Sequence, residues 1–344
     1  MDDPQIESLN AMEVLDSRGN PTLRIDILLS DGTHEAALVP SGASKGKYEA
    51  LELRDGVKGR YGGRGVLVAA DNVNEVIKPV LLNRSPFDQN DIDTVLIELD
   101  GTRDKSNLGA NATLGVSLAI ARVAAASRRI PLYEYLSRDP SGKAIMPVPM
   151  LNVINGGRHA HGSGDVQEFM IVPAGFSSFK EALRCGAEVY QSLKRLLEQK
   201  GYSTNLGDEG GFAPALGSNE AAIEILIHAI GRAGYSTEKH CFIALDIAAT
   251  ELFQGNQYVM NQGQTCYSKE ELIDYYSSLV KSYPIISIED GLEEDDWDGW
   301  AMLTKALGSE IQIVGDDLFT TNKSRILEGS EKLAANALLT KFNQ

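Results

Sequence analysis

Four short apolar runs in the second half of the chain each lead into a charged residue: Ile243-Ala244-Leu245 into Asp246, Ile285-Ile286-Ser287-Ile288 into Glu289, Ile311 to Val314 into Asp316, and Ala337-Leu338-Leu339 into Lys341. Three acids brought to one place cannot all stay charged unless a cation or a proton neutralises part of the charge. A divalent cation does this most directly. The donors are all oxygen, with no His or Cys pair among them, which favours magnesium over zinc and leaves manganese open. Lysine beside such a cation has its charged form disfavoured, and its freed lone pair suits it to take a proton from a carbon next to a metal-bound carboxylate. At an effective dielectric of about 20 and a separation of ~4 Å, one extra negative charge against a divalent ion is worth on the order of 8 kcal/mol. That is a large part of the roughly 8–23 kcal/mol by which enzymes lower their barriers. Taken singly, each acid could equally open a solvated loop and the lysine could snorkel from a strand end; three acids at a shared spacing argue for the site.

The elements that must position these residues follow from the gaps between them, 43, 27 and 25 residues. Each gap has room for a helix and two loops before the next strand. Strand–helix units of that length close into a β/α barrel whose strand C-termini open into one mouth. Upstream, strands are expected at Val148 to Ile154 and Glu168 to Val172, then helices at Phe179 to Lys200 and Ser218 to Ala233. Two strands followed by two helices do not fit simple βα alternation, so the barrel must begin irregularly.

The first part of the chain reads as a separate α+β unit. Strand-like runs at Glu7 to Leu15, Thr22 to Leu29 and Thr33 to Val39 are joined by turns at Arg18-Gly19-Asn20-Pro21 and Asp31-Gly32, which predicts a three-stranded antiparallel meander. Val66 to Leu81 and Ala110 to Ser127 have helical spacing, and the second should pack by a small-residue face. The turn-forming cluster Ser137-Arg138-Asp139-Pro140-Ser141-Gly142 marks the boundary, giving domains 1–138 and 139–344.

Composition narrows the function classes. The chain of 344 residues is 43% hydrophobic and 23% charged, enough for a large core. Asp and Glu number 48 against 32 Lys and Arg, a formal charge of −16 that disfavours nucleic acid and anionic membrane. Cys185, Cys241 and Cys266 are widely spaced with no Cys-x-x-Cys, so neither a disulfide framework nor a zinc knuckle is indicated, and a reducing cytoplasm fits. The acidic start Met1-Asp2-Asp3-Pro4 has no apolar segment after it, and Arg122 interrupts the most apolar stretch, Val116 to Ala126; neither a secretory signal nor a membrane span is expected.

Three glycine-rich loops put polar groups beside small residues, where backbone approaches a ligand closely. Ser41-Gly42-Ala43-Ser44-Lys45-Gly46-Lys47 looks like a phosphate loop, but its glycines are one residue too close and Tyr48 stands where Ser or Thr would meet magnesium. It makes better sense as a lid from which Ser44 reaches a bound ion. The others are Asn155-Gly156-Gly157-Arg158-His159 and Gly207-Asp208-Glu209-Gly210-Gly211.

With these loops, the segments Leu15-Asp16-Ser17-Arg18-Gly19-Asn20-Pro21-Thr22, Val39-Pro40-Ser41-Gly42-Ala43-Ser44, Leu108-Gly109-Ala110-Asn111-Ala112, Gln167-Glu168-Phe169-Met170, Ser287-Ile288-Glu289-Asp290 and Leu339-Thr340-Lys341-Phe342-Asn343-Gln344 resemble the enolases, in order and from end to end. The resemblance implies an α/β fold: an enolase-type β/α (TIM-like) barrel with an N-terminal α+β capping domain. It implies a carbon–oxygen lyase, phosphopyruvate hydratase, that reversibly dehydrates 2-phosphoglycerate to phosphoenolpyruvate in glycolysis and gluconeogenesis. A Lys or His base working with one or two magnesium ions is a known property of enolase-superfamily sites. On this pattern Asp246, Glu289 and Asp316 hold the tighter Mg2+ and Ser44 joins a second. Lys341 takes the C2 proton, Glu209, supported by Glu168, helps the C3 hydroxyl leave as water, and Gln167 and His159 line the substrate pocket with Glu168 and Lys341. Read without the resemblance, His159 is a loop histidine and Gln167 a strand-end hydrogen-bonding residue. The expected partner is a small-molecule substrate, with neither nucleic acid nor a membrane span, and a homodimer when complete.

Two departures bear on these expectations. The family lid usually continues Ala-Ser-Thr-Gly, whereas this one reads Ala43-Ser44-Lys45-Gly46, and the added charge bears on closure or ligand preference. The 199 residues from Met146 to Gln344 fall short of the ~250 of a closed barrel, so the barrel is expected to be incomplete at its C-terminal side, with activity of the chain by itself uncertain. The alternatives are a superfamily enzyme on another phospho- or phosphono-carboxylate, suggested by Lys45, and a noncatalytic binding protein on the same scaffold.

Overall fold

A computed structural model of the protein describes residues 3–42, 46–137, 144–157, 164–207, 210–260 and 263–344. It divides into two compact units, Met1–Ile145 with Lys341–Gln344, and Met146–Thr340. The turn cluster expected to separate the domains lies mostly outside the described residues, at 138–143.

In the first unit β1 (Ile6–Leu15), β2 (Pro21–Leu29) and β3 (His34–Leu38) form the expected antiparallel meander, with Ala11 opposite Ile25 and Asp26 opposite Ala36. The first turn is held by Asp16, whose Oδ1 accepts from the backbone N–H of Arg18 at 2.9 Å and of Asn20 at 2.8 Å. Leu23, Ile25, Ile27 and Leu29 alternate along β2 and are all fully buried, as the period of a half-buried strand requires. Helical residues then follow as α1 (Leu67–Asp71), a π-helical stretch Asn72–Ile77, and α2 (Lys78–Leu81). The single helix expected at Val66 to Leu81 is therefore continuous but widened in its middle. An unexpected helix, α3 (Gln89–Asp100), starts on the Asp88 side chain, which accepts from the Asp91 N–H, and stops at Gly101 with φ 71°. The helix α4 (Ala110–Ser127) packs against β2 and β3 by its small residues, and a short α5 (Leu132–Leu136) follows. By length and composition α4 would cross a membrane, but 67% of it is buried in the protein, which is the condition of a core helix.

The second unit is built on a six-stranded sheet, to which β4 (Leu151–Asn155) and β5 (Glu168–Val172) contribute first. Two helices follow, α6 (Phe179–Gln199) and α7 (Asn219–Arg232), then β6 (Phe242–Asp246). A small meander of β7 (Phe253–Gln254), β8 (Gln257–Met260) and β9 (Thr265–Tyr267) accounts for the longest gap and was not anticipated. Simple alternation closes the unit: α8 (Lys269–Ser282), β10 (Ile285–Glu289), α9 (Trp297–Leu307), β11 (Gln312–Gly315), α10 (Lys323–Lys332) and β12 (Ala337–Leu338). The sheet order is β12-β11-β10-β6-β5-β4. The pairs β4–β5 and β5–β6 are antiparallel and the rest parallel, which is the irregular beginning that two strands before two helices demanded.

Side-chain caps start the helices of this unit: Ser178, Ser218, a Ser268–Glu271 capping box, Asp296 and Asn322 each accept from first-turn N–H groups. The sheet has two faces. Phe169, Ile171, Ile243, Leu245, Ile288 and Ile313 join the helices in the main core, whereas Met170, Val172 and Ala244 form a small cluster of their own. By alternation Glu168 and Asp246 belong to the face of that second cluster.

Candidate active site

Asp246 is the last residue of β6 and Glu289 the last of β10, and the parallel register sets them side by side. Asp316 follows β11 by one residue. All three are buried, with 7–8% of their surface exposed. Carboxylate oxygens of Asp246, Glu289 and Asp290 lie within 4.8 Å of one another, and so do those of Asp290, Asp316 and Asp317. The three acids expected at the mouth thus join into one acidic cluster through a fourth, Asp290.

The backbone beneath the cluster is cross-linked from strand end to strand end. Ile247 N–H donates to the Glu289 carbonyl at 2.9 Å, Ala249 N–H to the Asp290 carbonyl at 2.9 Å, and Asp290 N–H to the Val314 carbonyl at 3.0 Å. Ala248 and Asp290 both take left-handed conformations, φ 50° and 43°. For residues with a Cβ this costs of order 1–3 kcal/mol each and persists where the surroundings over-determine the backbone.

Gln167 flanks the cluster on the β5 side. Its backbone N–H donates to the Asp246 carbonyl at 2.9 Å and its side-chain amide to Asp246 Oδ2 at 3.3 Å, while Ala248 N–H donates to Asp246 Oδ1 at 3.1 Å. Glu168 pairs directly with Asp246 across the antiparallel ladder. Gln167, Glu168 and Asp246 therefore meet at one place, although they come from opposite ends of their strands.

Burial pushes the Asp290 carboxyl well above the usual carboxylate range, and the negative charges of Asp317 and Asp246 push it further the same way. The donor set consists of carboxylates alone, which suits a hard divalent cation such as magnesium, and Asp246, Glu289 and Asp316 with the adjoining Asp290 have the chemistry to hold one.

Three expected site residues, Ser44, His159 and Glu209, lie outside the described residues. The bases of two of their loops are in view. Gly157 N–H donates to the Gly164 carbonyl at 2.9 Å, and Gly207 N–H to the Gly211 carbonyl at 2.8 Å, so both loops leave and return at a narrow neck. Asn155, at the end of β4 and buried, fastens the second loop: its N–H donates to the Phe212 carbonyl at 2.8 Å, and a Cβ on Gly207 would stand 2.0 Å from its Nδ2. Lys341 is half-buried and stands beyond β12 in the four-residue tail grouped with the first unit, where Ala50 N–H donates to the Gln344 carbonyl at 2.8 Å. Asp290 and Asp317 were missed from the sequence, although each directly follows an expected ligand and forms an acid doublet with it.

Comparison with known proteins gives the same answer for both halves. The family model described as "Enolase, N-terminal domain" matches residues 6–136, and "Enolase, C-terminal TIM barrel domain" matches residues 143–344. A protein named "Enolase" from a Nitratiruptor species is 54% identical over 339 residues, which cover 98% of this chain and 80% of that protein.

Proposed function

The chain belongs to the enolase family, and on that premise we propose that Asp246, Glu289 and Asp316 hold the Mg2+ with which it dehydrates 2-phosphoglycerate. The enzyme is a phosphopyruvate hydratase, a carbon–oxygen lyase that uses a divalent metal and a small-molecule substrate. The observation that supports the site assignment is that Asp246 and Glu289, at the ends of β6 and β10, and Asp316, after β11, are buried and are linked through Asp290, which groups with the first two on one side and with Asp316 on the other.

When bound, the cation offsets the substrate carboxylate and the additional negative charge that builds on it as C2 loses its proton. Every other task falls to side chains. Lys341 Nζ accepts the C2 proton, and the electron pair left behind becomes the C2–C3 double bond as the C3–O bond breaks. Glu209 gives its proton to the departing hydroxyl, which leaves as water, and Glu168 supports Glu209. Run backwards, the same two groups add water to phosphoenolpyruvate. Gln167 and His159 line the substrate pocket, and Ser44 would hold a second magnesium ion. Gln167 fits its place because its amide already orients Asp246.

Domains 1–138 and 139–344, a homodimer and a cytoplasmic location complete the proposal. The last is supported by the free thiol of Cys266, which is exposed and persists most readily in a reducing compartment. The test is formation of phosphoenolpyruvate, followed by its ultraviolet absorbance, from 2-phosphoglycerate with and without Mg2+. Full activity in Asp246→Asn, Glu289→Gln and Asp316→Asn would overturn the site assignment.

A further inference from the structure

Asp290 is tied to all three strand ends that carry the expected ligands. Its own peptide follows Glu289 on β10, its carbonyl accepts from the N–H of Ala249, the first residue of a short 3-10 helix after β6, at 2.9 Å, and its N–H donates to the Val314 carbonyl of β11 at 3.0 Å. Its side chain then reaches the loop after β11. Oδ1 accepts from Asp316 N–H at 3.0 Å and Oδ2 from Asp317 N–H at 2.8 Å, two successive amides met by one carboxylate. The residue is 4% exposed, and its backbone is left-handed at φ 43°.

Resting on the assignment of Asp316 as a ligand, we propose that Asp290 is the positioning residue of the metal site: by holding the Asp316 and Asp317 amides it sets the Asp316 carboxylate against the acids of β6 and β10. Only a carboxylate of this length serves. Asn offers one acceptor and turns an N–H2 group toward the second amide; Glu adds a methylene where the side chain is already covered; Ala leaves both amides without an acceptor. Removing a partner that orients a ligand typically costs about 10–100-fold in metal affinity.

The experiment titrates Mg2+ into the whole chain by calorimetry for the parent, Asp290→Asn, Asp290→Ala, Asp316→Asn and the double variant with both Asp290→Asn and Asp316→Asn. Circular dichroism of the metal-free proteins selects the variants that fold, and Asn, which keeps the shape of the side chain, decides if Ala does not. The expected result is a Kd for Mg2+ raised roughly 10–100-fold in Asp290→Asn, with no further rise when the same change is added to Asp316→Asn. A Kd within twofold of the parent, while Asp316→Asn binds weakly, overturns the positioning role and leaves the site standing. A further rise in Kd of about tenfold when Asp290→Asn is added to Asp316→Asn overturns it as well, because Asp290 then acts on the ion independently of Asp316. Unimpaired binding in Asp316→Asn removes the site assignment and the inference with it.

Discussion

Glu168, the first residue of β5, stands directly opposite Asp246, the last residue of β6. In a parallel barrel only strand C-termini reach the mouth, but the antiparallel β5 delivers its N-terminal residue there instead. On the roles proposed above, the glutamate that supports the acid catalyst would thereby sit beside a metal ligand. We therefore expect Glu168→Gln to lower kcat by about 10²–10⁴-fold, the usual worth of positioned proton transfer, while Mg2+ stabilises the variant as much as the parent. A lost magnesium response would make Glu168 a ligand.

Magnesium should stabilise the folded protein through the acids of β6, β10 and β11. A ligand at 100 times its Kd adds about 2.7 kcal/mol to the folded state. Differential scanning fluorimetry with Mg2+ and with EDTA should show a clear rise in Tm for the parent. The rise should shrink in each of Asp246→Asn, Glu289→Gln and Asp316→Asn, and an undiminished rise in all three excludes them as ligands.

The three acids were legible because one rule, the strand C-terminus, covers all parallel strands. Glu168 obeys the opposite rule, so only the family resemblance pointed to it. Asp290 escaped because an acid doublet at a strand end looks like one ligand and one solvated neighbour, and its tie to residues 316 and 317 spans a whole βα unit. The meander after β6 was hidden by strands of two to four residues, although its turn is open to view: Gly255 and Asn256 both have positive φ, 56° and 70°, as a tight hairpin requires. The cap at Asp88 and stop at Gly101 likewise announce α3, whose hydrophobic face is modest in size.

Packing of α4 on the meander makes a stability prediction. A Cβ on Gly115 would lie 2.8 Å from both Ile25 Cγ1 and Val39 Cγ2, two buried side chains with nowhere to retreat. The extra methyl should cost about 1–3 kcal/mol despite the better helix propensity of Ala. Urea denaturation of Gly115→Ala that matches or exceeds the parent's stability would show that this contact yields easily.

Acid sensitivity should reside partly in Glu13. Its carboxylate accepts from both Arg60 terminal nitrogens and, at 2.8 Å, from Val66 N–H, and the Arg60 hydrogen bond is the main reason its pKa is lowered. A depressed folded-state pKa contributes stability that is complete above the unfolded value, about 4.3 for glutamate, and is lost as pH falls through the folded one. Glu13→Gln should thus melt below the parent at pH 7, with the gap closing as the pH is taken well below 4. A gap that is constant with pH would mean that packing, not charge, is what the substitution removes.

Proton removal and hydroxyl departure should separate by residue. If Lys341 is the base, solvent deuterium enters C2 of 2-phosphoglycerate only through Lys341, whereas Glu209 acts later, at C3. Lys341→Ala should therefore abolish both C2 exchange and phosphoenolpyruvate formation. Glu209→Gln should keep C2 exchange while net dehydration falls by about 10²–10⁴-fold, because the carbanion forms and returns its proton without expelling the hydroxyl. Proton NMR of 2-phosphoglycerate in deuterium oxide reads the first process and ultraviolet absorbance the second, in the same sample. Because the two steps share a metal site but not a proton, a variant that loses dehydration alone cannot owe its defect to weak Mg2+ binding. Retained C2 exchange in Lys341→Ala would take the base from Lys341, and exchange lost in Glu209→Gln would place Glu209 in the first step instead of the second.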